Sequence, residues 1–443
     1  MSPARSHPAR GAPQPFGVPF FYGWVVVFCA CCSAVARQGV AVATLSVFVG
    51  PMIAEFDWSR SGISGAVSLG GLLGALTAPR LGRLADRSGA RMLLTVSALV
   101  TGGSVLALAG TNSLLWFYVA FGIGRMTFAG PFDIGITTAI ANWFVRRRGR
   151  AMSVVTLVSG LGLAAMPMLA QLAIEARGWR FGWLVLAVSV LVIGALPVAI
   201  LMRRRPEDLG LRPDGMAPPE SSGARLAHAR DRAGDAHAPI EPEFTSAEAL
   251  RTPAAWLLMA YSACFFAVQA GMSLHQAPYL VEKGIAPTLA ATVVATFSTA
   301  AALGSLLFGW IGDRWPIRFG LATAAIVSLV GLRIMLGVEE VGQAYLAALT
   351  FGGGVGGLMT LLPVAWAAYF GRRNFGAIRG ITLPVQVIGQ ASGPLIAGSL
   401  YDLSGDYGVA LNLFSVLAAL AAAMALCARV PQWRAPPANG NSH

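Results

Sequence analysis

The chain has 443 residues, of which 56% are hydrophobic and only 12% charged, and 52 are glycine. A soluble domain carries about a quarter charged residues, so an ordinary soluble enzyme is excluded. Apolar runs of roughly 20 residues recur along the chain and point to a polytopic helical membrane protein. The net charge of +12 does not signal nucleic acid, because the arginines cluster in short loops between apolar runs, the positive-inside pattern.

In chain order, residues 1–20 read as a tail. Basic residues, an apolar run and then "SAVA" before Arg37 mimic a cleavable leader, but the repeat described below needs this segment as its first helix. Six spans follow near 21–48, 61–80, 92–110, 114–142, 151–173 and 181–202. Residues 203–252, rich in Pro, Ala, Asp, Glu and Arg, lack the apolar content to bury a core and read as a disordered linker. Six more spans lie near 254–281, 288–310, 319–338, 343–370, 380–401 and 409–428, and residues 429–443 form a second tail. The five cysteines all fall in these spans and read as small apolar packing residues. No metal-ligand cluster, cofactor motif, HExxH or GxSxG is present, so neither an enzyme nor a bound metal or cofactor is expected.

The chain repeats itself. "GRLADRSGAR" at 82–91 returns as "GWIGDRWPIR" at 309–318, so Gly82, Asp86, Arg87 and Arg91 match Gly309, Asp313, Arg314 and Arg318. At the same offset Gly149, Gly162 and Pro167 fall on Gly376, Gly389 and Pro394. The chain therefore divides into two six-helix bundles, 21–202 and 253–428, each with basic loops after its second and fourth spans. Those loops, with "RRRGR", "RRRPEDLG" and "GRRNFGAIR", place that side and both termini in the cytoplasm.

The duplicated G-x-x-x-D-R-x-G-x-R loop after the second span resembles that of the major facilitator superfamily of secondary transporters. "FYGWVVV" opening span one, "NWFVRRRGRAMSVVTLVSGLG" at the span-four to span-five junction, and "HQAPYL" at 275–280 are similar to oxalate/formate antiporter-like and monocarboxylate-transporter-like members. The resemblance implies an all-α fold of twelve transmembrane helices in two pseudo-symmetric bundles. It also implies spans one, four, seven and ten around a central cavity, and a small organic anion carried across a bacterial inner membrane, often with a proton. Anion antiport and efflux of larger amphipathic compounds are the alternatives. The protein is expected to act as a monomer surrounded by lipid, with no nucleic-acid partner. Two departures stand out. Relatives often carry an arginine in span eight where this chain has Ser305, and span eleven lacks the lysine of oxalate-type members.

Ionisable residues inside a membrane are functional candidates by default. Those in mid-span are Arg37, Arg125 and Asp133, with His275 and Arg333 nearer span ends. Arg37 in span one and Arg125 in span four fall at one depth. A guanidinium binds carboxylates bidentately and stays charged at any working pH, so the two are expected to clamp the substrate anion in place of the missing span-eight arginine. Asp133 is the only carboxylate deep in a span and is either a proton-coupling group or a structural ion partner. His275, Gln38, Gln269, Gln276, Tyr369 and Gln386 are the further candidate substrate contacts.

The duplicated loop reads as a gate. Gly82 and Gly309 allow close backbone approach. Asp86 can cap a helix N-terminus, where the dipole favours a negative charge, and the resemblance implies that this aspartate bridges to the other half and holds the cytoplasmic side shut. Expected partners of Asp86 are the start of span eleven, Arg373 or Arg379; those opposite Asp313 are Arg147 and Arg148. Arg87, Arg91 and Arg314 complete the motif.

Overall fold

The computed structural model describes residues 20–215 and 242–432. The expectations for 1–19, 216–241 and 433–443 lie outside the described residues. Nine described helices are long and apolar enough to cross a membrane. Gly62–Ala109 holds two spans, turning back at Gly89, whose φ of +84° is one that glycine adopts freely. Span four, in two pieces, and span eleven, Phe375–Ser404, complete twelve.

Two spans break at their charged residues. Span one is a helix over Gly23–Ala36, a 3-10 turn over Arg37–Val40, and a second helix over Val42–Phe56. Ala41 between them is extended (ψ 156°). The backbone groups freed by the break are re-satisfied locally. Thr44 donates to the Gln38 carbonyl at 2.6 Å, and the Gln38 amide donates to the Ala34 carbonyl at 3.3 Å and to Ser159 at 3.0 Å. Span four runs Leu114–Ala129, bends at Gly130, and resumes at Pro131–Trp143. Pro131 has no N–H to lose at a first helical turn. Each span was expected to be one helix.

The remaining spans are Arg148–Arg177 (five), Trp179–Leu201 (six), Pro253–Glu282 (seven), Pro287–Gly312 (eight), Ile317–Leu336 (nine), Val341–Phe370 (ten) and Gly408–Cys427 (twelve). Side chains cap several of them: Ser113 accepts from the Trp116 N–H, and Thr252 accepts from the Ala255 N–H ahead of Pro253. Large apolar side chains such as Leu99, Met168, Leu307 and Leu395 are exposed, as a surface solvated by lipid allows.

The halves meet where span two crosses span eleven and span five crosses span eight. Both crossings are glycine on glycine. A Cβ on Gly82 would strike the Gly376 carbonyl and one on Gly376 the Gly82 carbonyl; Gly149 and Gly309 stand in the same reciprocal relation. Ser305 is fully buried beside the second crossing, where its hydroxyl donates to the Ala302 carbonyl at 2.6 Å. The position that holds an arginine in relatives is here a packing position.

The linker is structured where it is described. Asp214 accepts from the Val145, Arg146 and Arg147 N–H groups at 2.7–3.2 Å. Glu207 bonds Arg372 of the second half at 2.5 Å. A disordered 203–252 was expected. The ends of that segment are instead held by exposed loop N–H groups and arginines that their carboxylates satisfy.

Candidate functional site

Arg37 and Arg125 converge. Arg37 closes the first piece of span one, where the helix C-terminus favours a cation. Arg125 lies in the first piece of span four, three residues before Phe128, a spacing that puts both on one helical face. Gly70 of span two leaves room for the Arg125 stem, because a Cβ there would meet Arg125 Cβ and Cγ. Both guanidiniums lie over the Phe128 ring, 4.5 Å (Arg37) and 4.1 Å (Arg125) from its centroid.

The two charges thus stand no more than about 9 Å apart, where like charges repel by at least about 2 kcal/mol at an effective dielectric of 20. Each cation–π contact contributes about 0.5–2 kcal/mol, so the shared ring acts against that repulsion. The ring does not satisfy the N–H donors. Arg37 Nε and Arg125 Nε and Nη1 are buried without a hydrogen-bond partner. A buried unsatisfied donor costs about 1–3 kcal/mol, more when charged. The arrangement is a pair of buried cations with N–H donors that no described group satisfies.

Asp133 does not fill that role. It sits in the first turn of the second piece of span four and pairs with Arg379 of span eleven, Nη2 to Oδ2 at 2.6 Å. The pair crosses between the halves and is largely enclosed, with the Arg379 side chain 2% and the Asp133 side chain 22% exposed. Arg379 also donates to Gln386 at 3.2 Å. Arg379 was expected at the gate; it is instead the inner ion partner of Asp133.

The other candidates disperse. His275 Nδ1 lies 3.1 Å from the Tyr407 hydroxyl and Nε2 lies 3.2 Å from the Pro394 carbonyl, so both ring nitrogens are engaged within the second half. Tyr369 is fully buried and donates to the Ala428 carbonyl at 2.6 Å, tying span ten to the end of span twelve. Gln38 holds the break in span one. Gln269 donates to Ser273 at 3.0 Å. Among the described glutamines, Gln276 alone is buried with both amide atoms unpartnered. Arg333 donates to Asn412 at 2.8 Å.

The gate is built from helix ends. Asp86 accepts from the Gly376 N–H at 2.8 Å and the Ala377 N–H at 2.7 Å, in the first turn of span eleven. Asp313 does the same at the first turn of span five, accepting from Gly149 N–H at 2.8 Å and Arg150 N–H at 3.4 Å. The residues preceding these helices, Asn374 and Arg147, provide no side-chain cap of their own. Each half therefore caps a helix of the other. The expected start of span eleven is the partner of Asp86, but the expected arginines are not. Arg373 pairs with Glu243 at 2.7 Å, the Arg147 N–H goes to Asp214, and Arg148 is buried, donating to the Ala141 carbonyl. The guanidinium on Asp313 is that of Arg150, at 2.7 Å. Arg91 donates to the Ala199 carbonyl at 3.1 Å, Arg314 lies over Trp310, and Arg87 is exposed.

Phe128 and Arg150 were not read from the sequence. The i, i+3 spacing of Arg125 and Phe128 was the available signal for the first, and the "RRRGR" run contained the second without distinguishing it.

The comparisons agree with this architecture. The Major Facilitator Superfamily profile matches residues 26–378 and 271–443, and the chain belongs to that family. It is therefore a multi-pass membrane carrier of small molecules and not an enzyme. Monocarboxylate transporter 12 of Rattus norvegicus is 25% identical over 414 residues, covering 88% of this chain and 82% of that protein. A probable hexose phosphate transport protein of Chlamydia pneumoniae is 22% identical over 374 residues, covering 82% and 80%. The crystal structure of the transporter FucP in the outward conformation superposes with a TM-score of 0.65 at 14% identity, covering 92% of this chain and 99% of that one.

Proposed function

We propose that this protein is a secondary active transporter that moves a small organic anion, a monocarboxylate, across a bacterial plasma membrane by alternating access, together with a proton. The observation that carries the reading is the pair of guanidiniums over Phe128 with buried, unpartnered donors. A carboxylate supplies the acceptors those donors lack. Discontinuous membrane helices often mark the binding site in transporters, and both arginines lie on the two broken spans. The relatives named above, carriers of monocarboxylates and of hexose phosphate by their names, share an anionic cargo.

In this reading the end with the basic loops is cytoplasmic, and the Asp86 and Asp313 caps hold that end shut, so the substrate enters from the opposite side. Protonation of Asp133 would neutralise one member of the pair with Arg379 and loosen the closed state. The test is accumulation of labelled lactate, pyruvate and benzoate in proteoliposomes, alongside ligand-induced thermal shifts, because a ligand that binds the folded state raises its stability by mass action. Arg37→Ala and Arg125→Ala are expected to lose both signals. Normal transport and affinity in Arg37→Ala would end the clamp reading.

A further inference from the structure

We infer that Phe128 is a specificity-determining and positioning residue of the anion site: its ring sets Arg37 and Arg125 side by side, and it forms the apolar wall that selects carboxylates with a flat or aliphatic body. This rests on the clamp reading above.

Three observations lead to it. First, one ring serves both cations, at 4.5 and 4.1 Å. Among the described residues neither guanidinium has a hydrogen bond or close ion pair; the Asp133 carboxylate attracts Arg37 through space, and the Phe128 ring is the contact that both arginines share. Second, the ring contact does not consume the hydrogen-bond donors: Arg37 Nε and Arg125 Nε and Nη1 have no partner, and an anion would supply acceptors for them. Third, Phe128 is anchored rather than loose. It packs on the apolar cluster that includes Phe48, Phe117, Phe121 and Trp183, and the neighbouring Thr127 hydroxyl bonds Thr101 of span three at 2.5 Å.

An anion held by both arginines therefore lies beside an aromatic surface backed by apolar side chains. A carboxylate with a hydrocarbon or aromatic body gains from that surface; one with little apolar body, such as acetate, gains less. The ring contributes to selection and to the resting geometry, and takes no part in a proton step.

The experiment measures binding and initial transport rates for benzoate and acetate in purified, reconstituted protein carrying Phe128→Leu, Phe128→Met or Phe128→Tyr, with Arg37→Ala run in parallel. Phe128→Leu and Phe128→Met remove the ring but keep apolar bulk; Phe128→Tyr keeps the ring. The expected result is a roughly tenfold rise in KM for benzoate in both ring-less variants, with a smaller rise for acetate, an unchanged maximal rate, and parental behaviour in Phe128→Tyr. Parental KM values and parental benzoate-to-acetate preference in a folded Phe128→Leu or Phe128→Met protein would overturn the assignment. If Arg37→Ala loses binding while the ring-less variants do not, Phe128 alone is refuted. If Arg37→Ala also binds normally, the clamp itself is refuted and the assignment falls with it.

Discussion

Replacing Asp86 by asparagine removes a charge from the gate while preserving its shape. In the closed state the two carboxylate oxygens accept from Gly376 and Ala377 at 2.8 and 2.7 Å, and an amide keeps only one acceptor oxygen. Losing an N-cap costs about 0.5–2 kcal/mol, and the attraction of a negative charge to a helix N-terminus is worth about 0.3–1 kcal/mol. When the basic end opens, the freed N–H groups reach water, so the net penalty on the closed state is about 1–2 kcal/mol. That lowers the ratio of closed to open carriers by about 5–30-fold. Asp313→Asn acts in the same direction, with the pair to the half-exposed Arg150 adding about 0.2–1 kcal/mol. Spin labels on the exposed Arg83 and Arg373 positions, in a background free of native cysteines, place one probe on each half at this end. Pulsed resonance distances are expected to broaden and lengthen in Asp86→Asn, and further in the double variant. Distance distributions that superimpose on the parent's in liposomes would refute the cap as the element that holds this end closed.

The remaining expectations concern the crossings, the buried pair and one anchor. Gly82→Ala and Gly309→Ala each place a Cβ against a backbone carbonyl of the other half; both are expected to open the basic end more strongly than the asparagine variants, read by the same labels. Asp133→Asn leaves Arg379 without its carboxylate, and pH-driven uptake is expected to vanish while substrate counterflow persists; uptake that still follows the proton gradient would remove Asp133 from the coupling role. Tyr369→Phe loses one bond to the Ala428 carbonyl, so a loss of about 1 kcal/mol of stability is expected as a lower Tm with substrate affinity unchanged.

The twelve spans and the repeat were legible because membrane helices advertise themselves through apolar length, and because the motif around Asp86 and Asp313 recurs at one offset. The start of span eleven was legible as the partner of Asp86 because a carboxylate suits a helix N-terminus and the family resemblance placed that partner in the other half; the offset, which matches Gly82 with Gly309 and Gly149 with Gly376, makes the two crossings equivalent. Of the expected partners the helix start is the one engaged, because its orphaned N–H groups are fixed in place, whereas Arg373 and Arg379 pair with Glu243 and Asp133. The break in span one was hidden, because the groups that re-satisfy the backbone are the Thr44 hydroxyl and the Gln38 amide, neither of which announces itself in an apolar run. His275 and Tyr369 were misplaced for a related reason. Their partners, the Pro394 and Ala428 carbonyls, are backbone groups over 50 residues away, and no side-chain pattern encodes them.

One strip of structure joins the two features that matter. Arg125 and Phe128 precede the bend at Gly130, and Asp133 follows it. Asp133 grips Arg379, which lies within one turn of Gly376 and Ala377, the N–H groups that Asp86 caps. The bent helix thus carries Arg125 of the proposed anion site on one side of its hinge and the ion pair to span eleven on the other. Contact alone is no proof of coupling; what makes this strip a candidate is that its middle link is a single ion pair between the halves. Removing one partner of such a buried pair costs about 3–5 kcal/mol, more than either cap contributes. Removing Asp133 is therefore expected to act on the closed state with more leverage than removing either cap, and Arg125 of the proposed anion site lies on the same span, one bend away.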